Sequence, residues 1–148
     1  MTQQKNHQPQ TKFEDLMVSS AGLGTIRPNR IRDRLAGTCL KLAGFLWPIR
    51  FAFRLLERHS TMGQMDLFNN TLLIEGNLTE PETLSAVWHE ILEVLNKKYE
   101  WSITHELLSS IEVNTFEALI NNPHFVTELL RYAKQYSGTK TATKNKKA

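Results

Sequence analysis

Apolar and polar positions alternate with a period of two across IRFAFRLL, residues Ile49 to Leu56. Ile49, Phe51, Phe53 and Leu55 fall on one side, Arg50, Ala52, Arg54 and Leu56 on the other. That spacing predicts a half-buried strand with arginines on its wet face. Beyond Met62-Gly63, two short strands are expected, Gln64 to Phe68 and Thr71 to Glu75. A tight turn at Asn69-Asn70 joins them, and Gly76-Asn77 closes the sheet. Upstream, in RIRDRLAGTCLKLAGFLWP, the apolar residues Ile31, Leu35, Cys39, Leu42, Phe45 and Leu46 stand at roughly helical intervals. Gly37 and Gly44 interrupt that pattern and Pro48 stops it, so a buried helix running into the strand is expected, with Cys39 a small apolar residue on its inner face.

Downstream the period lengthens to that of a helix. Thr79 begins a T-x-x-E capping box completed by Glu82, and Pro81 is tolerated in the first turn. The helix should run from Glu80 to about Lys98, its lysines at the C-terminal end as the helix dipole prefers. A second helix is predicted from near His105 to Asn121-Asn122, with Thr104 or Ser102 as its cap. A third should run from Pro123 to about Tyr136 and end at Gly138. The expected architecture is therefore α+β: a small three-stranded sheet packed against the helix Glu80 to Lys98, followed by two further helices. Residues 1–26 read as a disordered or loop arm, 27–138 as one domain and 139–148 as a disordered basic tail.

Composition narrows the class. A chain of 148 residues with 41% hydrophobic and 22% charged residues suits one ordinary globular domain. Its single cysteine rules out an internal disulfide and any CxxC zinc site, which fits a reducing, cytoplasmic setting. The opening MTQQKNHQPQ has no apolar run, so no secretory signal is expected. Ala36 to Phe53 carries only Lys41 and Arg50, but two glycines and a proline make it a poor membrane span.

The formal charge of +3 hides an uneven distribution. Arg27, Arg30, Arg32, Arg34, Lys41, Arg50, Arg54 and Arg58 face only Asp33 and Glu57 within their stretch. His59 to Gly138 is acidic, and TKTATKNKKA adds four lysines. Arg27 to Arg34 together with the lysine tail is a candidate nucleic-acid contact; a solvated surface is the plainer explanation. AGLGT lacks the Lys-Ser/Thr of a phosphate-binding loop, and no Ser-His-Asp constellation is present. Trp47 and Trp101 are expected to bridge sheet and helices, and His59 and His124 to lie on the surface.

The chemistry concentrates in AVWHEILEVLN, residues 86 to 96. On a helical wheel Leu84, Trp88, Ile91 and Leu95 fall within about 60° of one another and form the predicted buried stripe. His89 and Glu93 lie on the opposite side, one turn apart, so both reach one point in space. Glu90 points about 100° further round from His89. An imidazole and a carboxylate so placed can ligate zinc, and an adjacent Glu is positioned to take a proton from water. The pattern H-E-x-x-E is equally that of an ordinary exposed pair on an amphipathic helix.

The stretch GQMDLFNNTLLIEGNLTEPETLSAVWHEILEVL, with the following THELLSSIEVNTFEALINNP, resembles the minimal gluzincin domains. These include the ImmA/IrrE-like and related short HExxH proteins of phages and mobile elements. The resemblance covers about residues 49 to 123. His89 and Glu90 match the family motif outright, and Glu93 stands where its second histidine would be. The resemblance implies a zinc held by His89, Glu93 and His105, with Glu112 an alternative downstream donor, Glu117 a weaker one, and Glu90 as general base. It implies a phage- or mobile-element-encoded zinc metallopeptidase-like protein acting on a peptide or protein. The alternative is a non-catalytic module on the same scaffold that contacts a host protein or nucleic acid.

Overall fold

The computed structural model describes residues 26–144, with side chains as far as Tyr136. Residues 1–25 of the expected arm 1–26 and the last four residues of the tail lie outside the described residues. The chain divides into two compact units, Met1–Ile103 and Thr104–Ala148.

The first unit holds α1 (Arg30–Leu35), β1 (Cys39–Leu42), β2 (Phe45–Ala52), α2 (Leu55–His59), β3 (Gly63–Asp66), β4 (Thr71–Glu75) and α3 (Glu80–Lys98). The fold is α+β as expected, but the sheet has four strands rather than three, in the order β1-β2-β4-β3. β1 pairs antiparallel with β2, β2 parallel with β4, and β3 antiparallel with β4.

The added strand lies where the spacing predicts a helix. Only Arg30–Leu35 is helical, and Cys39–Leu42 forms a hairpin with β2. Ala43 and Gly44 both take positive φ, 48° and 83°, the two-residue turn whose twist matches paired strands. Cys39 is consequently exposed rather than buried. Pro48 does not stop the element: β2 begins at Phe45 and passes through it. The Ile49 N–H donates to Thr38 O of the hairpin, so position 48 faces the other way, where β4 pairing starts only at Ile49. A missing N–H there removes no ladder bond.

The far end of β2 also departs from the alternating pattern. The strand stops at Ala52; Arg54 adopts a left-handed conformation and α2 follows. Leu55, the apolar residue predicted for the strand, is buried from this helix instead. The β3–β4 hairpin forms where expected, but β3 ends at Asp66 rather than Phe68, so the turn takes the four residues 67–70 instead of Asn69-Asn70 alone. Asp66 ends β3 and its carboxylate accepts from the N–H groups of Phe68 and Asn69 at 2.9 and 3.0 Å.

β4 is the centre of the unit, and all five of its residues are buried. Leu72 and Ile74 face α3 and join Trp47, Ile49, Leu78, Ala86, Val87 and Val94 in the main core. Leu73 points to the opposite face and packs with Ala52 and Leu55. Each such fully buried aliphatic side chain contributes about 1.5–3 kcal/mol, so β4 anchors the sheet between α3 and α2.

The second unit holds α4 (His105–Asn121) and α5 (Pro123–Lys144). Thr104 caps α4 by accepting from the Leu107 N–H. α5 continues past Gly138, where a stop is predicted. Among the described side chains of α4, only Leu108 and Glu112 are buried; on α5, as far as Tyr136, none is.

Candidate functional site

α3 is the element that carries the candidate chemistry, and its start is fixed by several independent contacts. The Thr79 side chain accepts from the Glu82 N–H, and Glu82 accepts from the Thr79 N–H at 2.8 Å, completing the expected capping box. These bonds hold the Glu82 carboxyl below its ordinary range. Behind the cap, buried Asn29 donates to Leu78 O at 2.9 Å and to Thr83 Oγ1 at 2.7 Å, and accepts from the Arg32 N–H at 2.8 Å. One side chain thus ties α1 to the start of α3.

The orientation of α3 differs from the predicted stripe. Thr83, Ala86, Val87, Glu90 and Val94 are buried, and they span about 100° of the helix. That face is centred about 120° round from the stripe Leu84, Trp88, Ile91 and Leu95. Leu84 is 39% exposed, and Trp88, Ile91 and Leu95 are half-buried. Apolar content misplaces the face because two polar residues sit inside it. Thr83 is satisfied by Asn29 and by its own helix through Thr79 O. The second is Glu90.

Glu90 is 5% exposed, at the centre of the face turned to the sheet. Burial, with the neighbouring Glu93 charge adding to it, pushes its pKa up to about 8. Its carboxyl lies against β3: a Cβ placed on Gly63 would stand 2.6 Å from Glu90 Oε1. His89 and Glu93 border the same face. Nε2 of His89 and Oε1 of Glu93 are 4.0 Å apart, with side-chain exposures of 18% and 15%. They are therefore not the fully exposed pair of an ordinary amphipathic helix.

Tetrahedral zinc with bonds of about 2.0–2.2 Å sets neighbouring ligand atoms about 3.3–3.6 Å apart. The observed separation of 4.0 Å is a little wider than that range. One imidazole and one carboxylate are suitable donors for it.

The other predicted site residues belong to the second unit. His105 is the first residue of α4 and exposed; Glu112, two turns on, is buried; Glu117 is exposed. His59 and His124 are exposed, as expected. Trp47 is fully buried in the core, but Trp101 is 50% exposed and stacks on Tyr99 at 5.7 Å between centroids. A cleft of about 470 Å³ lined by Asn96, Lys97, Glu100, Ser102 and Ile103 opens near the end of α3. It contains none of the predicted ligands.

The arginine-rich segment is only partly available. Arg32 donates to Gly76 O at 3.0 Å and pairs with Asp33, which fixes it in the fold. Arg27, Arg30 and Arg34 remain exposed. No helix among the described residues is long and apolar enough to cross a membrane.

Two features escaped the sequence reading. Gly63 is one, since its contact with Glu90 joins positions far apart in the chain. Glu75 is the other: it is 3% exposed, and its carboxylate accepts from the N–H groups of Leu55, Leu56 and Asn77. A charged residue ending an otherwise apolar strand just before Gly76-Asn77 was the available signal. Compared with protein-family models, characterised proteins and solved structures, the chain matches none.

Proposed function

We propose that this chain is a zinc-dependent metallopeptidase-like protein of a phage or mobile element, acting on a peptide or protein in the host cytoplasm. His89 and Glu93 supply two ligands. The third donor is His105, with Glu112 as the alternative; its case rests on donor chemistry and on the short connection of residues 99–104 between α3 and α4. What supports the reading most is Glu90. An acid is buried on the sheet side of α3, directly after one half of a His–Glu pair, where an aliphatic residue would serve the core better.

Zinc bound there would polarise a peptide carbonyl and lower the pKa of water. Glu90 would accept the proton that the attacking water gives up. Without a cation its carboxyl keeps its proton to about pH 8. A divalent charge beside it favours the ionised form, the one a general base needs. The carboxyl therefore becomes competent when the neighbouring ligands are occupied.

The second reading, a non-catalytic interaction module, draws on the exposure of Arg27, Arg30 and Arg34. Its binding to nucleic acid would weaken steeply with salt.

Elemental analysis of untagged protein, purified without added metal, tests the first reading. About one zinc per chain is expected, lost in His89→Ala and in Glu93→Ala. Glu90→Gln should keep the metal and lose hydrolysis of casein. His105→Ala and Glu112→Ala, measured side by side, identify the third donor. Wild type that retains no zinc after loading and desalting overturns the proposal.

A further inference from the structure

We infer that Gly63 is a positioning residue: the absence of a side chain at the start of β3 is the seat that fixes the Glu90 carboxyl. The catalytic meaning of that seat rests on the role proposed for Glu90; the seat itself does not.

Gly63 opens β3, at the edge of the sheet, paired with Ile74. Its φ is not positive, unlike those of Gly37 and Gly44, so the backbone at this point admits any residue. Only space forbids a side chain. A Cβ would lie 2.6 Å from Glu90 Oε1, 2.8 Å from Cγ and 3.0 Å from Cδ. The conflict runs along the acid's stem as well as its tip, so turning the carboxyl alone does not relieve it. Relief requires the whole side chain to leave the β3 edge. Gly76 is the useful contrast: there a Cβ would meet the ring of Phe53, an ordinary packing constraint between apolar groups.

Glycine weakens a strand and burial opposes an ionisable carboxyl. The two unfavourable choices meet at one contact, and each is explained by the other. The contact also fixes where the Glu90 carboxyl lies: against β3, on the sheet side of α3. Released from β3, it would swing towards solvent or towards His89 and Glu93.

The test is a melting cycle on the full chain, metal-free, at neutral pH, with Gly63→Ala made in three backgrounds. With Glu90 present, Gly63→Ala should lower Tm by about 4–8 °C. With Glu90→Gln, which has the same shape, the loss should be similar. With Glu90→Ala, which removes the obstructing atoms, Gly63→Ala should leave Tm unchanged or raise it. An equal loss in all three backgrounds overturns the seat and leaves Gly63 a backbone residue.

A second measurement separates positioning from folding. Zinc-loaded Gly63→Ala should keep the metal content of wild type and hydrolyse casein at least about 10-fold more slowly, since small misplacements of a reacting group are costly. Full turnover in Gly63→Ala overturns the positioning role. Absence of zinc and of turnover in wild type would overturn the metallopeptidase reading instead, with the melting cycle still deciding the seat.

Discussion

Two glutamates are buried in the first unit, on opposite faces of the same sheet, and they are there for different reasons. Glu75, at the end of β4, is 3% exposed and accepts from three backbone N–H groups, of Leu55, Leu56 and Asn77. Those donors belong to the start of α2 and the turn after β4, so the carboxylate satisfies groups that would otherwise be orphaned. Glu90, on α3, is 5% exposed and meets Gly63 and the charge of Glu93 instead. Burial alone therefore does not mark a functional acid. What sets Glu90 apart from Glu75 is burial without donors enough to hold the ionised form, next to His89 and Glu93, the two side chains proposed as ligands.

The comparison breaks most visibly with pH. The Glu90 pKa is raised from 4.5 in the unfolded chain to about 8 in the fold. The folded state therefore holds this proton more tightly, and the contribution to stability is complete below pH 4.5. As pH rises from 4.5 to 8 the unfolded chain releases its proton first and stability falls, by about 4 kcal/mol across the window. Chemical denaturation of chelator-treated protein should show that slope, and Glu90→Gln should flatten it. A wild-type curve that stays level across this range would mean the acid is not held in its neutral form.

The same isosteric change at the other site should act in the opposite direction. Glu75→Gln replaces one acceptor oxygen with an NH₂ group facing backbone N–H donors, and should destabilise by about 3 kcal/mol at pH 7.5. Glu90→Gln at that pH should be neutral or stabilising, because it imitates the protonated acid. Urea midpoints of the two variants decide it. Equal losses would erase the distinction between a carboxylate held by backbone donors and one held in its neutral form.

The sequence exposes this distinction only in part. The limits of α3 are legible because the signals are local: the Thr79–Glu82 box, Pro81 in the first turn, Lys97 and Lys98 in the last. The adjacency of His89 and Glu93 follows from helical spacing alone. The β1–β2 hairpin is hidden because Ile31 to Leu46 fits a helical period, and only the positive φ at Ala43 and Gly44 decides between the two. The roll of α3 is hidden for a deeper reason. A wheel weighted by apolarity selects Leu84 and Trp88, whereas the sheet accepts Thr83 because Asn29 satisfies it and Glu90 because Gly63 leaves it room. Both partners come from other elements, and Gly63 stands 27 positions before Glu90. Local periodicity contains no such pairing.

The smallest effect tests how the Glu90 environment is divided between its causes. Burial is the larger cause of the raised pKa and the Glu93 charge the smaller. Glu93→Gln removes the charge and leaves the burial. The Glu90 pKa should then fall below 8 yet stay well above 4.5, so the stability slope should end at a lower pH while beginning at the same one. At pH 8 the variant should gain about 1 kcal/mol or less over wild type through this coupling, as expected for one partly buried neighbour. His89 loses its carboxylate partner in the same variant, so zinc retention should fall even as the metal-free protein becomes more stable. A pKa that drops all the way to 4.5 would show that the charge of Glu93, rather than the closed space beside β3, is what keeps Glu90 protonated.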